Sequence, residues 1–325
     1  MRYSLTNPKL SGKLLGLLWL LPLIALAEPK VVASIKPVHS LVAGVMQGIG
    51  EPRLLVPGGA SPHQYSLRPS DARAISEADV VFWIGPELES FASKPLRNTE
   101  GKLRAVALLD APGVVVLPLR EGGAWEPHRH DAMAEESAAH PVEQDHEQSH
   151  ESGRDVHIWL DPVNAAAMVR QIVAVLSETD PGHRTDYQRN GTLLIERLNR
   201  LDQQLAAELA PIRGRPYVVF HDAYQYFERR YGLSAVGSIV LDPEQRPGAK
   251  RLADIQAGIR DHGVRCVFGE PQFQPALVET VIAGSNARLG VLDPEGGAEL
   301  QPGPEAYFQL LQRLSSALRA CLGDA

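Results

Sequence analysis

The feature that most constrains the fold is an alternation of short β-branched runs with helical patterns, and it occurs twice along the chain. In the first half, the predicted strands are 31–35, 53–56, 80–84 and 114–117. In the second half, they are 217–220, 235–240, 265–268 and 289–292. Strands that alternate with helices form parallel sheets covered by helices. The sequence therefore predicts two α/β lobes.

A single long helix is predicted between these halves. From His183 onward, leucines recur at steps of three and four residues, the period of one helix face; they are Leu194, Leu198, Leu201, Leu205 and Leu209. At 1.5 Å per residue such a helix is about 40 Å long and can contact both lobes. We therefore predict an N-terminal lobe at 28–182, a connecting helix at 183–210 and a C-terminal lobe at 211–325.

The N-terminus has the pattern of a cleavable secretory signal. Arg2, Lys9 and Lys13 precede an apolar run at 14–26, which ends on a small-x-small sequence. The run is shorter than the about 20 residues that a membrane-spanning helix needs, so an uncleaved anchor is the weaker alternative. We predict cleavage after Ala27 and a mature chain that is exported to the periplasm and does not insert into a membrane.

The net charge limits the classes of binding partner, and the cysteines indicate the redox state of the compartment. The formal net charge of -7 argues against nucleic acid or an anionic membrane as a partner. Cys266 and Cys321 are the two cysteines. In an exported chain such a pair predicts one disulfide, and two buried free thiols are the alternative.

Residues 121–155 differ sharply in composition from the rest of the chain. Apolar residues are scarce there, so the segment cannot bury enough surface to offset its ordering entropy, and we predict a disordered loop. Its histidines are His128, His130, His140, His146 and His150. Histidines among carboxylates on a flexible chain predict accessory, low-affinity metal ligands. A solvated acidic linker is the alternative.

Coordinating side chains follow several predicted strands. In open α/β sheets, ligands bind beyond the carboxyl ends of the strands. His63 and His157 belong to the first lobe, whereas His221, Glu270 and Asp293 follow strands of the second. Each histidine alone could be a hydrogen-bonded loop residue, but a cleft between the lobes could collect all three. Three imidazoles and one oxygen suit tetrahedral Zn²⁺, whereas carboxylate-rich sets suit Mn²⁺.

Six motifs resemble the zinc-specific periplasmic binding proteins of the ZnuA type. They are ASIKP at 33–37, GASPHQYSLRPS at 59–70, HIWLDP at 157–162, VFHDAY at 219–224, PEQRPG at 243–248 and EPQF at 270–273. The resemblance covers nearly all of the mature chain. It implies two lobes, each a four-stranded parallel sheet flanked by helices, joined by one long rigid helix. The wider group includes manganese-binding members and streptococcal adhesin-type lipoproteins.

The resemblance also implies roles for particular residues. The metal ligands would be His63, His157 and His221, and His221 points to zinc because manganese members carry a carboxylate there. Asp293 matches a carboxylate ligand of manganese members and is the candidate fourth ligand, with water as the alternative. One departure is Gln64, where many relatives have an acidic residue.

The cysteines match the family as well. Cys266 and Cys321 correspond to the disulfide of gram-negative zinc members. The expected function is that of a monomeric periplasmic component of a zinc ABC importer. It would capture Zn²⁺ in the interlobe cleft and deliver it to an inner-membrane permease.

Three other functions are alternatives to this one. The nearest is a manganese-binding homologue of the same transport class. A metal-dependent hydrolase would need an open coordination position and a general base, and no catalytic motif supports it, so we expect no enzyme. A surface adhesin would be favoured by a lipobox or an anchor, and the sequence shows neither.

Overall fold

The computed structural model describes residues 1, 28–99, 101–120, 153–240, 247–273 and 275–323. The predicted signal peptide beyond Met1 lies outside these residues. The five histidines of the predicted loop and the start of the PEQRPG motif do so as well.

The first lobe is built on a parallel sheet with the strand order β2-β1-β3-β4. Its elements are β1 (Val31–Ala33), α1 (Lys36–Val45), β2 (Arg53–Leu54), α2 (Pro69–Glu77), β3 (Val80–Trp83), α3 (Ser90–Arg97), β4 (Arg104–Ala107) and α4 (Pro162–Thr179). Asp161 caps the N-terminus of α4, since its side chain accepts a hydrogen bond from the amide of Val163. The DP sequence therefore sets the start of this helix.

The second lobe repeats the scheme with the order β6-β5-β7-β8, again all parallel. After the connecting helix α5 (Arg184–Leu209), its elements are β5 (Pro216–His221), α6 (Gln225–Tyr231), β6 (Ser234–Val240), α7 (Ala249–Asp261), β7 (Cys266–Gly269), α8 (Ala276–Ile282), β8 (Arg288–Val291) and α9 (Ala306–Leu322). The described residues thus confirm an α/β fold with two four-stranded parallel sheets.

The fourth strand of the first sheet was wrongly predicted at 114–117. It is β4 instead, an edge strand whose first two residues are exposed and whose apolar pattern is therefore weak. At 114–117, the peptide of Val115 is held by the side-chain amide of Asn164 (2.8 and 2.9 Å), and the amide of Leu117 donates to Tyr226 (2.9 Å). Side chains satisfy these backbone groups, so no ladder forms.

Asp71 fixes the start of α2. Arg68 is the residue at the cap position, and Ser70 lies within the first turn. Asp71 accepts the amide of Arg68 at 3.0 Å, which closes the turn.

The last residues of the predicted loop are packed against the first lobe. The amide of Leu119 donates to Gly153 and that of Asp155 to Leu117, both at 2.8 Å. The side chain of Asp155 is buried. Residues 153–155 therefore form a stem with 117–119, although composition had placed them in the loop.

The connecting helix α5 packs against both lobes, as its leucine stripe predicted. It contacts α1 and α4 on one side and α9 on the other. Leu41 of α1, Leu198 of α5 and Leu314 of α9 belong to one continuous apolar core. Smaller cores lie on the outer faces of the two sheets. No helix in the described part of the chain combines the length and apolar character needed to cross a membrane.

The predicted disulfide is confirmed. Cys266 at the start of β7 is bonded to Cys321 near the end of α9, with 6.1 Å between their Cα atoms. The bond ties the last helix to the second sheet.

Candidate metal centre

Three imidazoles from distant chain positions meet between the lobes. His63 lies in the irregular segment 55–68 after β2, His157 lies just before the first turn leading to α4, and His221 is the last residue of β5. Their ring centroids are 5.3 to 5.7 Å apart. One ring nitrogen from each lies within 4.8 Å of the other two. The structure therefore brings together the three histidines singled out in the sequence.

The spacing of two of these nitrogens matches a metal-binding geometry. Nε2 of His157 and Nε2 of His221 are 3.4 Å apart. A tetrahedral zinc ion with Zn–N bonds of about 2.0–2.1 Å holds its ligand nitrogens about 3.3–3.4 Å apart. This pair can therefore bind one ion without moving.

A buried carboxylate orients His157. Its Nδ1 lies 2.8 Å from Oδ1 of Asp155, which also accepts the backbone amide of His157 at 3.0 Å. Tyr226 donates to the carbonyl of Asp155 at 2.7 Å and so fixes this segment. A proton on Nδ1 that is donated to a carboxylate leaves the Nε2 lone pair free to bind a metal.

A second buried carboxylate orients His221 in the same way. Its Nδ1 lies 2.6 Å from Oε1 of Glu270, which follows β7. Both residues are almost fully buried. Glu270 was identified in the sequence as a candidate at a strand end, and the structure shows it supporting an imidazole. Asp155 was missed because it lies within the predicted loop, although its position two residues before a candidate ligand was a signal.

His63 is held differently. Its ring is half-buried, and its Nε2 is a buried atom without a hydrogen-bond partner in the described part of the chain. A buried polar atom left unpaired costs about 1–3 kcal/mol. A metal ion bound to this nitrogen would relieve that penalty, so the orphaned atom fits a metal site.

The protonation states of the three histidines differ. Burial, helped by the neighbouring imidazoles, lowers the pKa of His63 to about 2. Burial also lowers the pKa of His157 to about 3. Burial acts to lower the pKa of His221 too, but the Glu270 carboxylate outweighs it and raises that pKa above its usual value. Two ligands are therefore neutral at neutral pH, and a proton competes for the third.

Asp293 is not part of the group formed by the three histidines. Its Oδ1 accepts hydrogen bonds from Nε2 of Gln272 (2.9 Å), the amide of Glu295 (3.0 Å) and the amide of Gly296 (2.9 Å). In this arrangement Asp293 closes its own turn. Its role as a fourth ligand stays a prediction.

An ion-pair cluster beside the site joins the two lobes. Arg120 of the first lobe donates to both carboxylate oxygens of Asp222, the residue after His221. It also donates to Glu228 of α6 at 2.6 Å. All three side chains are mostly buried, and a bidentate guanidinium pair of this kind fixes geometry as well as charge. Sequence reasoning did not identify Arg120.

Known proteins resemble this chain over nearly its whole length. Residues 31–321 match the ZnuA family, described as the periplasmic component A of a zinc-uptake complex. The chain is 47% identical over 305 residues to the high-affinity zinc uptake system protein ZnuA of Brucella abortus, covering 90% of this chain and 91% of that protein.

Solved structures share the fold. A crystal structure of ZnuA is 25% identical, with a TM-score of 0.71 over 90% of this chain and 99% of that one. The periplasmic zinc binding protein TroA from Treponema pallidum is 20% identical, with a TM-score of 0.75 over 92% of this chain and 100% of that one. The latter likeness concerns the fold alone.

Proposed function

The chain belongs to the ZnuA family of periplasmic zinc-uptake components, and from this premise we propose that it is the zinc-binding component of an ABC importer. Zn²⁺ is captured in the interlobe cleft by His63, His157 and His221. The observation that carries this proposal is the meeting of three imidazoles whose ring nitrogens lie within 4.8 Å of one another, with those of His157 and His221 3.4 Å apart. Imidazoles, rather than carboxylates, favour zinc over manganese.

The protonation and the orientation of the imidazoles favour zinc capture. Two of the three imidazoles are neutral at neutral pH, so the ion meets lone pairs rather than protons. Asp155 and Glu270 hold the other ring nitrogens and keep two Nε2 atoms directed at the ion. An oxygen from water or from Asp293 completes the tetrahedron. The protein carries an ion and does not transform a substrate.

Release is proposed to follow a small movement of the lobes against each other at the permease. The shared core and the long α5 oppose wide hinge closure. Crystal structures with and without zinc should therefore differ by a slight tilt. A large rotation between them would contradict this part of the proposal.

The setting of this activity is also a proposal. Export through the signal peptide places the mature protein in the periplasm, where the disulfide between Cys266 and Cys321 can form. There it works as a monomer with an inner-membrane permease. The histidines of the 121–155 loop act as accessory ligands that gather zinc weakly.

Metal analysis of the purified mature protein, after competition between Zn²⁺ and Mn²⁺, tests the function. We expect one tightly held zinc ion per chain, lost in the His157→Ala variant. The matched control is His183→Ala, because His183 also pairs with a carboxylate, Asp180 at 2.7 Å, but lies in another part of the fold. Retention of manganese in preference to zinc, or equal loss in both variants, would reject the proposal.

A further inference from the structure

The turn at 293–297, between β8 and α9, lies beside the candidate site and carries Asp293. Gly296 and Gly297 both have positive φ (86° and 40°), which residues with a side chain rarely adopt. Together with the three hydrogen bonds to Oδ1 of Asp293, these glycines shape a tight turn. The carboxylate is used to close it.

A buried lysine of the first lobe forms hydrogen bonds with this turn. Lys36, the first residue of α1, is 4% exposed. Its ammonium donates to the carbonyl of Gly296 at 2.9 Å and also to that of Gly297. The indole of Trp159 donates to the carbonyl of Pro294 at 2.8 Å. Two side chains of one lobe therefore hold a turn of the other.

The chain leading to His63 also approaches this turn. A Cβ at Gly58 would collide with the carbonyl of Gly297 and with Nζ of Lys36. Glycine permits this close approach because it has no side chain. Lys36 thus lies where the segment carrying a candidate ligand meets the turn carrying Asp293.

The charges near the turn oppose the cost of burying this lysine. Burial lowers the pKa of Lys36, and Asp293 and Glu295 act in the opposite direction. A buried ammonium is stable only when it is paired and hydrogen-bonded. Its two carbonyl acceptors hydrogen-bond the ammonium and the acidic groups partly offset its burial, so the turn and the lysine hold each other in place.

We propose that Lys36 is a specificity-determining positioning residue, which holds the 293–297 turn against the first lobe and keeps Asp293 away from the three imidazoles. The inference rests on the proposed function. Manganese prefers carboxylate oxygens and a larger ligand set, whereas zinc suits three imidazoles with one oxygen. A restrained Asp293 therefore favours zinc, and a released one adds a ligand that benefits manganese more.

The test compares Lys36→Met with wild type for Zn²⁺ and Mn²⁺ affinity by competition with a chelator. Loss of a group that positions a ligand typically changes metal affinity by about 10-fold or more. We expect the ratio of manganese to zinc affinity to rise by about that factor, with zinc still preferred. The visible spectrum of the Co²⁺ form should weaken as coordination expands. Lys36→Met/Asp293→Asn should restore both readouts.

Two further variants keep the test decisive. Gln272→Ala removes one donor to Asp293 without touching the lobe contact, so the ratio should rise by a smaller factor. Lys30→Met, at a lysine elsewhere in the first lobe, should leave it unchanged. An unchanged ratio in a folded Lys36→Met protein that still binds zinc would overturn the inference. If that variant does not fold, an unchanged ratio in Gln272→Ala would do so.

Failure of the proposed function gives a different result. In that case wild type itself would not retain one zinc ion, whatever residue occupies position 36.

Discussion

The two sides of the metal centre are built differently. His157 and His221 lie at the boundaries of regular elements, and each has a buried carboxylate behind it. His63 lies in the irregular segment 55–68, and its buried Nε2 lacks a hydrogen-bond partner among the described residues. The carboxylate-supported pair therefore has its Nε2 atoms oriented before any ion binds. We expect His63 to gain its partner only when an ion binds.

The largest expected effect comes from removing a ligand of the supported pair. His221→Ala should abolish tight zinc binding. The loss of affinity should exceed the about 100-fold seen when a residue that only supports a ligand is removed. His63→Ala should leave weaker but measurable binding, because the two oriented nitrogens remain. Calorimetry with a competing chelator measures both. Equal losses would show that the three ligands are equivalent.

Without metal, His221→Ala should also be less stable to unfolding than His63→Ala. His221→Ala leaves the Glu270 carboxylate buried without its partner, which should lower the free energy of unfolding by about 3 kcal/mol. His63→Ala removes a buried nitrogen that has no partner, so the change should be near zero. Urea unfolding in the presence of a chelator provides the measurement. A larger loss in His63→Ala would reverse the comparison.

Removing the supporting charge should weaken zinc binding without removing a ligand. Glu270→Gln keeps the shape of the side chain but not its charge, and we expect zinc affinity to fall by about 10–100-fold. The control is Glu87→Gln, a carboxylate paired with Arg154 on the surface. The same loss in both variants would argue against a specific effect on His221.

The number of protons released on zinc binding gives a smaller effect. Burial lowers the pKa of His63 to about 2 and that of His157 to about 3, so neither carries a proton to release near neutral pH. Although burial opposes it, Glu270 raises the pKa of His221. Zinc affinity should therefore weaken as pH falls through the raised pKa of His221. At about pH 5.5 three ordinary imidazoles with a pKa near 6.5 would release nearly three protons on binding zinc. Calorimetry at that pH, in buffers of different ionisation enthalpy, should instead find about one proton released, from His221.

The smallest effect on the tight site is expected from deleting 121–152. The amide of Leu119 already donates to Gly153, so a short linker can join the cut ends. One tight zinc site should remain, with the weaker accessory binding lost. Calorimetry showing two equal tight sites that disappear together with the segment would contradict this division of roles.

Periodicity predicted most of the fold, and the sequence singled out the three histidines that the structure brings together. Of these, His221 ends a buried strand, whereas His157 does not. The leucine stripe of α5 and the buried runs of β3 and β5 are strong signals because their burial is nearly complete. The edge strand β4 and the helix α3 were missed because their patterns are weak and half-exposed. Val114 to Leu117 has a strand composition, but the Asn164 and Tyr226 side chains take its backbone groups.

The supporting residues were harder to predict than the ligands. Arg120 and Lys36 act through contacts with chain segments far away in sequence, such as Arg120 with Asp222 and Lys36 with Gly296. No local spacing encodes such pairs. Asp155 supports the nearby His157, but composition had assigned it to the predicted loop. Glu270 was recognisable because it follows a buried strand, but its partner could be identified only from the tertiary structure.

The shared apolar core described above makes the two lobes inseparable as pieces. Leu41 and Leu314 come from opposite halves of the chain, yet they bury surface in the same cluster. A gene fragment encoding either half alone would expose its share of that cluster to water and should not yield a folded product. A chimaera that joins halves from two relatives should fold only if the core residues contributed by both halves come from the same relative.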